Sequence, residues 1–413
     1  MQYGLIGERL GHSFSKIVHG YLAEYEYELC ELAPKDVDAF LCKREFRAIN
    51  VTIPYKETVI PYLSYIDPHA EEIGAVNTVV NRDGKLYGYN TDFYGMKSLI
   101  ERMGLDFCGK KVAILGTGGT SRTAMAVAKA LGARAYFRVS RTAKGGAIDY
   151  ETLYRDHADT DFIINTTPSG MYPNIDDAPI DPKRFSALSG VIDAIYNPLR
   201  PKLVTGAREM GIPAEGGLYM LVAQAVRASE IFLDCSYPAD TSETVYRRIL
   251  RQKENIVLIG MPGSGKSTVG KILAERLSRD LYDMDACIVK TAGQEITDIF
   301  AAIGESGFRD MDTRVLKEQL APLGGIVLAT GGGAILRDEN VAALRQNGRL
   351  YFLDRPLCEL LPTADRPTAS STEAIRRRYE ERYFRYCSVA DVRIPVDGSP
   401  EEIAEKIRKD FLA

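Results

Sequence analysis

Short apolar runs alternate with amphipathic stretches from one end of this chain to the other. The runs fit buried strands, and the stretches, apolar at every third or fourth position, fit helices packed on them. Five places carry the plainest strands: Tyr3–Ile6, Lys111–Leu115, Phe162–Asn165, Ile256–Ile259 and Ile326–Ala329. The alternation predicts α/β domains built on parallel sheets. Two of the strands run straight into a glycine-rich turn and then a helical pattern: KKVAILGTGGTSRTAMAVAKALGA and NIVLIGMPGSGKSTVGKILAERL. The two turns differ, so they read as two nucleotide sites in one chain and not as an internal repeat.

No Gly/Ser or Pro-rich linker separates them. The segment 228–255 ends a helix-rich region, and RRILRQKEN reads as a charged helical end, which predicts a tight fusion near residue 250. The expected domains are 1–250 and 251–413. Within the first, a substrate lobe takes about 1–100 plus 215–245, and a nucleotide lobe about 101–214. The run RRRYEERYFRY (376–386) alternates arginines with aromatics, as an RNA-binding segment would. It reads better as one charged helix with tyrosines on a buried stripe.

Composition narrows the function. At roughly 150 residues per domain, 413 residues predict two or three domains. Fifty-two Lys and Arg against 56 Asp and Glu leave a net charge of −4, which offers no global basic field to nucleic acid or an anionic membrane. The seven cysteines are scattered and never spaced as CxxC, so neither a disulfide framework nor a structural zinc site is expected. The N-terminus lacks an apolar signal core, and no apolar stretch is long enough to span a bilayer. The expectation is a soluble cytoplasmic protein acting on small molecules, its oligomeric state left open.

In the first glycine loop, Gly116-Thr117-Gly118-Gly119-Thr120-Ser121, Gly116 permits the tight turn and Gly118 a close approach to pyrophosphate. Small Ser121 keeps the helix near the sheet, and the helix N-terminus offers N–H groups to phosphate. After the next strand come Ser140, Arg141, Thr142 and Lys144 where an NAD site would carry an acid. A hydroxyl and cations suit a 2′-phosphate, hence NADP. Upstream, Ser13-Phe-Ser15 is placed in a loop after the first strand. Asn50-Val-Thr52-Ile-Pro-Tyr-Lys56, Ala75-Val-Asn77-Thr78 and Tyr89-Asn90-Thr91-Asp92 follow. Together they supply hydroxyls, amides, one ammonium and one carboxylate, the inventory for gripping a small polyhydroxylated acid. Lys56 with Asp92 makes an acid/base pair.

SFS, NVTIPYK, GAVNT, YNTD, GTGGTS, SRT, IYNP and GLYMLVAQA, in that order over roughly residues 1–250, resemble shikimate dehydrogenase. The resemblance implies NADPH-dependent reduction of 3-dehydroshikimate, with Lys56 as the acid/base residue partnered by Asp92. It implies shikimate contacts at Ser13, Ser15, Thr52, Asn77, Asp92, Tyr196 and Gln224. Cofactor contacts are implied at Gly116, Thr117, Gly118, Gly119 and Thr120, at Ser140, Arg141, Thr142 and Lys144, and at Ile195 and Gly217. The family commonly has Asn where Ser140 stands. A quinate-using relative with NAD preference shares most of these motifs, and the absence of an acid at 140–144 argues against it.

The second loop, Gly260-Met-Pro-Gly263-Ser264-Gly265-Lys266-Ser267-Thr268, is a full P-loop between a strand and a helix. Its N–H groups cradle phosphate, Lys266 reaches the β/γ-phosphates and Ser267 coordinates Mg²⁺. ATP binding follows, but the acceptor must come from elsewhere. Asp283 and Asp285 sit one residue apart at a predicted strand end, suited to the metal's water shell and to an acceptor hydroxyl. Arg309 and Arg382 can pair with an anion, and Gly331-Gly332-Gly333 lets a ligand lie on bare backbone. Arg366 lies in a polar stretch, 363–372, able to fold over ATP as a lid. This set resembles shikimate kinase over about residues 254–413. The resemblance implies that Asp285, Arg309, Gly332 and Arg382 hold shikimate. It implies that Gly263, Ser264, Gly265, Lys266, Ser267, Thr268 and Arg366 hold ATP, with Ser267 and Asp283 toward Mg²⁺. The lid departs from the family, TASST replacing a more apolar pattern. A gluconate kinase shares the P-loop but not the DxD, FR and GGG set.

Fold and function are thus expected to be a two-lobed α/β dehydrogenase with a Rossmann NADP lobe, then a P-loop kinase whose parallel sheet is flanked by helices. The family product of the first half is the family substrate of the second. A competing reading makes one half a non-catalytic ligand-sensing module; the presence of Lys56, Asp92, Lys266, Ser267 and Asp285 speaks against it.

Overall fold

The computed structural model describes residues 1–11, 14–360 and 371–413. They divide into two compact units, one of Met1–Met171, Asp177–Asn197 and Gly206–Ile249, the other of Tyr172–Asp176, Pro198–Thr205 and Leu250–Ala413. Helix Thr241–Lys253 runs through residue 250, and one residue separates it from the next strand. No helix of the described residues is long and apolar enough to cross a membrane.

The first unit holds two sheets. One contains β1 (Tyr3–Gly7), β2 (Tyr27–Glu31), β3 (Ala48–Val51), β4 (Tyr65–Ile66), β5 (Thr78–Arg82) and β6 (Lys85–Tyr89), in the order β2-β1-β3-β5-β6-β4. This sheet is mixed and not purely parallel, because β5 pairs antiparallel with both β3 and β6. The reason is local. Asp83 (φ 51°) and Gly84 (φ 80°) form a two-residue turn that pairs Arg82 with Lys85, and only an antiparallel hairpin can follow it. Side chains alternate across the sheet. Ile6, Ile49 and Val51 join a core with Val37 and Leu41, while Tyr3 and Leu5 meet Ala228, Ile231 and Phe232 of helix Leu218–Leu233.

The unit's other sheet is parallel throughout. It consists of β7 (Lys111–Leu115), β8 (Ala135–Val139), β9 (Phe162–Asn165), β10 (Gly190–Asp193) and β11 (Ala214–Glu215), ordered β11-β10-β9-β7-β8. Val112, Ile114, Phe162, Ile164 and Ile192 on one face pack against Met96, Leu99 and Ile100 of helix Thr91–Arg102 and Ala124 and Val127 of helix Gly119–Ala130.

The second unit's sheet runs β13-β14-β12-β15-β16, all parallel, from β12 (Asn255–Ile259), β13 (Leu281–Asp283), β14 (Val327–Ala329), β15 (Gly348–Asp354) and β16 (Val392–Pro395). Along β12, Ile256 and Leu258 enter one core with Val269, Leu273 and Ile407, and Val257 and Ile259 enter the other with Leu328, Phe352 and Tyr386. Each such buried side chain stabilises the fold by about 1.5–3 kcal/mol, so the strand is held from both faces.

Candidate active sites

A cavity of about 480 Å³ opens in the first unit where both of its sheets end. Lys56 and Asp92 meet in it, Nζ to Oδ2 2.5 Å, with the ammonium 23% and the carboxylate 16% exposed. Asp92 stands in the first turn of helix Thr91–Arg102, where the N-terminal dipole favours a carboxylate. Asn90 caps that helix through Phe93 N at 3.2 Å and donates to Ala75 O at 2.9 Å, tying the helix start to the GAVNT segment.

Ser15, Thr52, Asn77, Tyr196, Gly217 and Gln224 line the same cavity, as do Gly119 and Thr120 of the glycine loop. Ser15 is the first residue of a short helix, Ser15–His19, and not a loop residue as expected; the chain coils here on its way from β1 to its parallel neighbour β2. Ser13 lies outside the described residues. Ile195 meets Gly217 through a backbone bond at 2.8 Å.

Behind the lining runs a buried polar chain. Tyr27 Oη donates to Asn50 Oδ1 at 2.7 Å, and Asn50 Nδ2 donates to Thr78 Oγ1 at 3.1 Å. Asn77 Oδ1 accepts from Thr91 N at 2.7 Å, and Thr91 Oγ1 donates to Gln224 Oε1 at 3.3 Å. Buried His19 bonds the Tyr25 hydroxyl at 2.6 Å and is pushed down to about 3 by burial, so it stays neutral. Burial likewise raises the Tyr196 hydroxyl.

Two groups that the motifs did not point to lie under the cavity. Asp193, fully buried at the end of β10, accepts two bonds from Asn165 Nδ2 at 3.0 Å and one from Ile195 N at 3.0 Å. Burial pushes its carboxyl up to about 7, against the hydrogen bonds that favour the charge. Asn165 Oδ1 accepts from Thr167 N and Oγ1, so one amide joins the ends of β9 and β10. Arg9 and Asn50 also line the cavity. Asn50 stood in a quoted motif, whereas Arg9 carried no motif signal.

The glycine loop fits a dinucleotide. Gly116 has φ 114°, and a Cβ there would stand 2.6 Å from Thr166 Oγ1. In front of Gly118 and Gly119 nothing among the described residues lies within 4 Å of an added Cβ, which leaves that space for phosphate. Ser121 is buried and closes the turn by donating to Gly118 O at 2.6 Å. Arg141, Thr142 and Lys144 are exposed past β8, beside half-buried Ser140, and Thr117 is exposed in the loop.

The second unit places the P-loop at the end of β12. Gly263 (φ 80°) and Gly265 (φ 93°) bend the loop into helix Lys266–Leu277, and Lys266 Nζ rests on the carbonyls of Gly260 and Met261 at 2.9 and 3.0 Å. The Ser264 hydroxyl is buried and finds no hydrogen-bonding partner among the described residues, which leaves it for a phosphate oxygen. Ser267 Oγ donates to Asp283 Oδ2 at 2.6 Å, while Asp283 Oδ1 caps the helix Met284–Ala292 through Asp285 N at 3.0 Å. Among the described residues no cluster of three His, Cys, Asp or Glu could hold a metal. A hydroxyl and a carboxylate side by side suit Mg²⁺, which keeps several waters and borrows phosphate oxygens. Thr268 is exposed one residue on.

Asp285, Arg309, Gly332 and Arg382 line one small pocket of about 40 Å³ with Pro262, Phe300 and Phe308. Gly304 (φ 69°) breaks the helix Ile296–Val315, and after it Glu305, Arg309 and Asp312 share a face. Arg309 bonds Asp312 Oδ2 at 2.8 Å and Glu305 Oε1 at 3.3 Å. Burial, aided by Asp285 and opposed by Arg309, pushes Asp312 up to about 6. An added Cβ at Gly331 would stand 2.6 Å from Asp285 Oδ1, and one at Gly333 within 2.3 Å of the Arg309 guanidinium, so both glycines make room for charged groups.

Arg382 is buried on helix Thr372–Val389 and donates to Gly332 O at 3.1 Å. The helix carries the expected buried stripe at Ile375, Tyr386 and Val389, with Tyr379 stacked on Tyr383 at 4.9 Å. Arg382 belongs to that stripe, while Phe384 is 82% exposed. Arg366 and most of the stretch 363–372 lie outside the described residues.

Comparison with known proteins bears on both units. A family model for the shikimate dehydrogenase substrate binding domain matches residues 5–79, and one for shikimate kinase matches residues 262–411. The chain is 34% identical over 259 residues to shikimate dehydrogenase (NADP(+)) of Clostridium beijerinckii, covering 59% of this chain and 96% of that protein. Among solved structures, shikimate dehydrogenase 1 from Peptoclostridium difficile aligns with a TM-score of 0.55 and 35% identity, over 60% of this chain and 98% of that one. A chorismate mutase/shikimate 5-dehydrogenase fusion protein from Clostridium acetobutylicum aligns with a TM-score of 0.57 and 34% identity, over 60% and 96%.

Proposed function

The chain belongs to the shikimate dehydrogenase family and carries a shikimate kinase domain after it, and from that premise we propose that it reduces 3-dehydroshikimate with NADPH and phosphorylates the shikimate so formed at its 3-hydroxyl with MgATP. The observation that carries the first step is the Lys56–Asp92 pair at 2.5 Å inside the cavity that the glycine loop also lines.

Ser13, Ser15, Thr52, Asn77, Tyr196 and Gln224 grip the substrate. The loop from Gly116 to Thr120, with Ile195 and Gly217, holds the cofactor, and Ser140, Arg141, Thr142 and Lys144 take its 2′-phosphate. Bound NADPH supplies the hydride for the ketone carbon. Lys56 donates a proton to the developing alkoxide oxygen, and Asp92 orients and steadies its ammonium. The hydride and the proton together convert the ketone to the alcohol. The buried chain from Tyr27 to Gln224 fixes Asn50, Asn77 and Thr91 in advance, so the grip needs little reorganisation.

In the kinase unit, Asp285 accepts the proton of the acceptor hydroxyl, while Arg309, Gly332 and Arg382 hold the acceptor. Gly263–Thr268 and Arg366 hold ATP, and Ser267 and Asp283 lie toward Mg²⁺, which neutralises phosphate charge. The acceptor oxygen attacks the γ-phosphorus, the bond to the β-phosphate oxygen breaks, and ADP leaves; catalysis rests on positioning and charge neutralisation. We place the enzyme in the cytoplasm, with small-molecule substrates and no role for nucleic acid or membrane.

Mass spectrometry of products from 3-dehydroshikimate and NADPH, with and without MgATP, tests the reading. Shikimate without ATP and shikimate 3-phosphate with it are expected. Shikimate accumulating despite MgATP removes the kinase step, and no reduction at all removes the dehydrogenase step.

A further inference from the structure

The shikimate kinase unit carries a third arginine beside its acceptor pocket. Arg378, Arg382 and Tyr386 follow one another at four-residue spacing on helix Thr372–Val389, so they project from one face. Two of the three reach the glycine turn: Arg382 Nη1 and Tyr386 Oη donate to Gly332 O at 3.1 and 2.5 Å. Arg378 sits one turn earlier. Its Nε and Nη1 are buried and find no hydrogen-bonding partner among the described residues.

Its surroundings carry both signs. Arg378 feels the charges of Glu305, Arg309, Glu381 and Arg377, and Arg382 in turn feels Arg378. Burial and the neighbouring cations lower the proton affinity of both guanidiniums, yet an arginine does not deprotonate, so the cluster keeps its charge. Glu305 reaches two of the three, lying 3.3 Å from Arg309 Nη2 and 3.8 Å from Arg382 Nη2. A carboxylate thus already stands against this cluster, and the orphaned donors of Arg378 remain for another.

We propose that Arg378 is a third guanidinium of the kinase acceptor site and binds the acceptor carboxylate together with Arg309 and Arg382. This rests on the kinase reading above. The triphosphate is the other anion at hand, but the P-loop amides and Lys266 lie at the end of β12, whereas the three arginines gather around Glu305.

Steady-state kinetics of the full chain with Arg378→Met and Arg378→Lys test it. The methionine variant is expected to raise KM for shikimate at least about tenfold, as loss of a charge-assisted contact does, with KM for MgATP unchanged. Lysine should recover only part, because a point charge replaces a planar fork. With the methyl ester of shikimate, whose carboxylate charge is gone, wild type and Arg378→Met should have the same KM. Equal loss on acid and ester, a rise confined to MgATP, or no change in either KM overturns the assignment. Unchanged KM for MgATP certifies the fold, and Arg378→Lys with the ester carries the test should methionine prevent folding. A wild-type chain that fails to phosphorylate shikimate overturns the kinase reading itself, before any variant is made.

Discussion

Replacing Asp193 with asparagine removes a titrating charge from beneath the dehydrogenase cavity while keeping the shape of the side chain. The carboxyl is fully buried, holds Asn165 and Ile195 through bonds at 3.0 Å, and is pushed up to about 7 by burial. In the unfolded chain it titrates near about 3.9. The folded state therefore holds this proton more tightly than the unfolded state between those values. The stability it contributes is full below about pH 4, declines as pH rises through about 7, and is flat beyond. From pH 5 to pH 8 about two units of that window are crossed, worth about 3 kcal/mol at 1.36 kcal/mol per unit. Asparagine does not titrate, so wild type should lose about 3 kcal/mol relative to Asp193→Asn over that range. A two-unit chain does not unfold in one step, so the assay must be local. Pulsed hydrogen exchange during urea unfolding, read on peptides covering β9 and β10, supplies this. The exchange Asn165→Asp with Asp193→Asn returns a carboxyl to the pair and should return the pH dependence. A stability difference between wild type and Asp193→Asn that stays constant from pH 5 to pH 8 would refute the reasoning, for the carboxylate would then be ionised throughout.

Lys56→Met should lower the reduction rate by about a hundredfold or more while NADPH still binds in a fluorescence titration; unchanged turnover would remove Lys56 from the chemistry. Asp285→Asn should abolish phosphorylation and leave ATP binding, measured by equilibrium dialysis, largely intact; surviving phosphorylation would show the acceptor site to be elsewhere. Gly217→Ala would set a Cβ 2.2 Å from the backbone oxygen of Ala194, which cannot swing aside. Ile195 and Tyr196 must shift, so KM for both NADPH and 3-dehydroshikimate should rise at least about tenfold, as displaced positioning groups cost, with phosphorylation in the same sample preserved.

The parts of both sites legible in the sequence are those whose chemistry is set by short-range spacing. A glycine loop between strand and helix announces itself within a few residues, and so does DMD at the end of β13. Packing partners distant in the chain do not. Asn165 and Asp193 are 28 residues apart, and each looks like an ordinary strand-end polar residue until β9 and β10 are paired in register. The mixed first sheet has a local signal too: Asp83-Gly84 between VVNR and KLYGY marks a hairpin, which the global alternation masks. In RRRYEERYFRY the density of charge suggested a solvated face around the tyrosine stripe. Burial of Arg382 follows only from the helix lying against Gly332, 50 residues upstream.

The choice of cation in the two sites follows from what each must do with a proton. In the dehydrogenase cavity Lys56 sits against Asp92, and in the proposed reaction its task is to give a proton up and take it back. Lysine can do so because its ammonium exchanges protons when its surroundings are tuned, and arginine cannot. The kinase pocket sets the opposite demand. Arg309 and Arg382 are held at close quarters in a buried site, with Glu305 and Asp312 as carboxylate partners. Desolvation and the neighbouring guanidiniums of Arg378 and Arg309 press Arg382 toward neutrality, and a lysine in its place would release its proton and lose the anion it was meant to hold. Arginine keeps its charge under that pressure and offers a planar fork that matches a carboxylate. On the proposed roles, the same acidic substrate is met by an exchangeable cation where a proton must move, and by fixed cations where only binding is required.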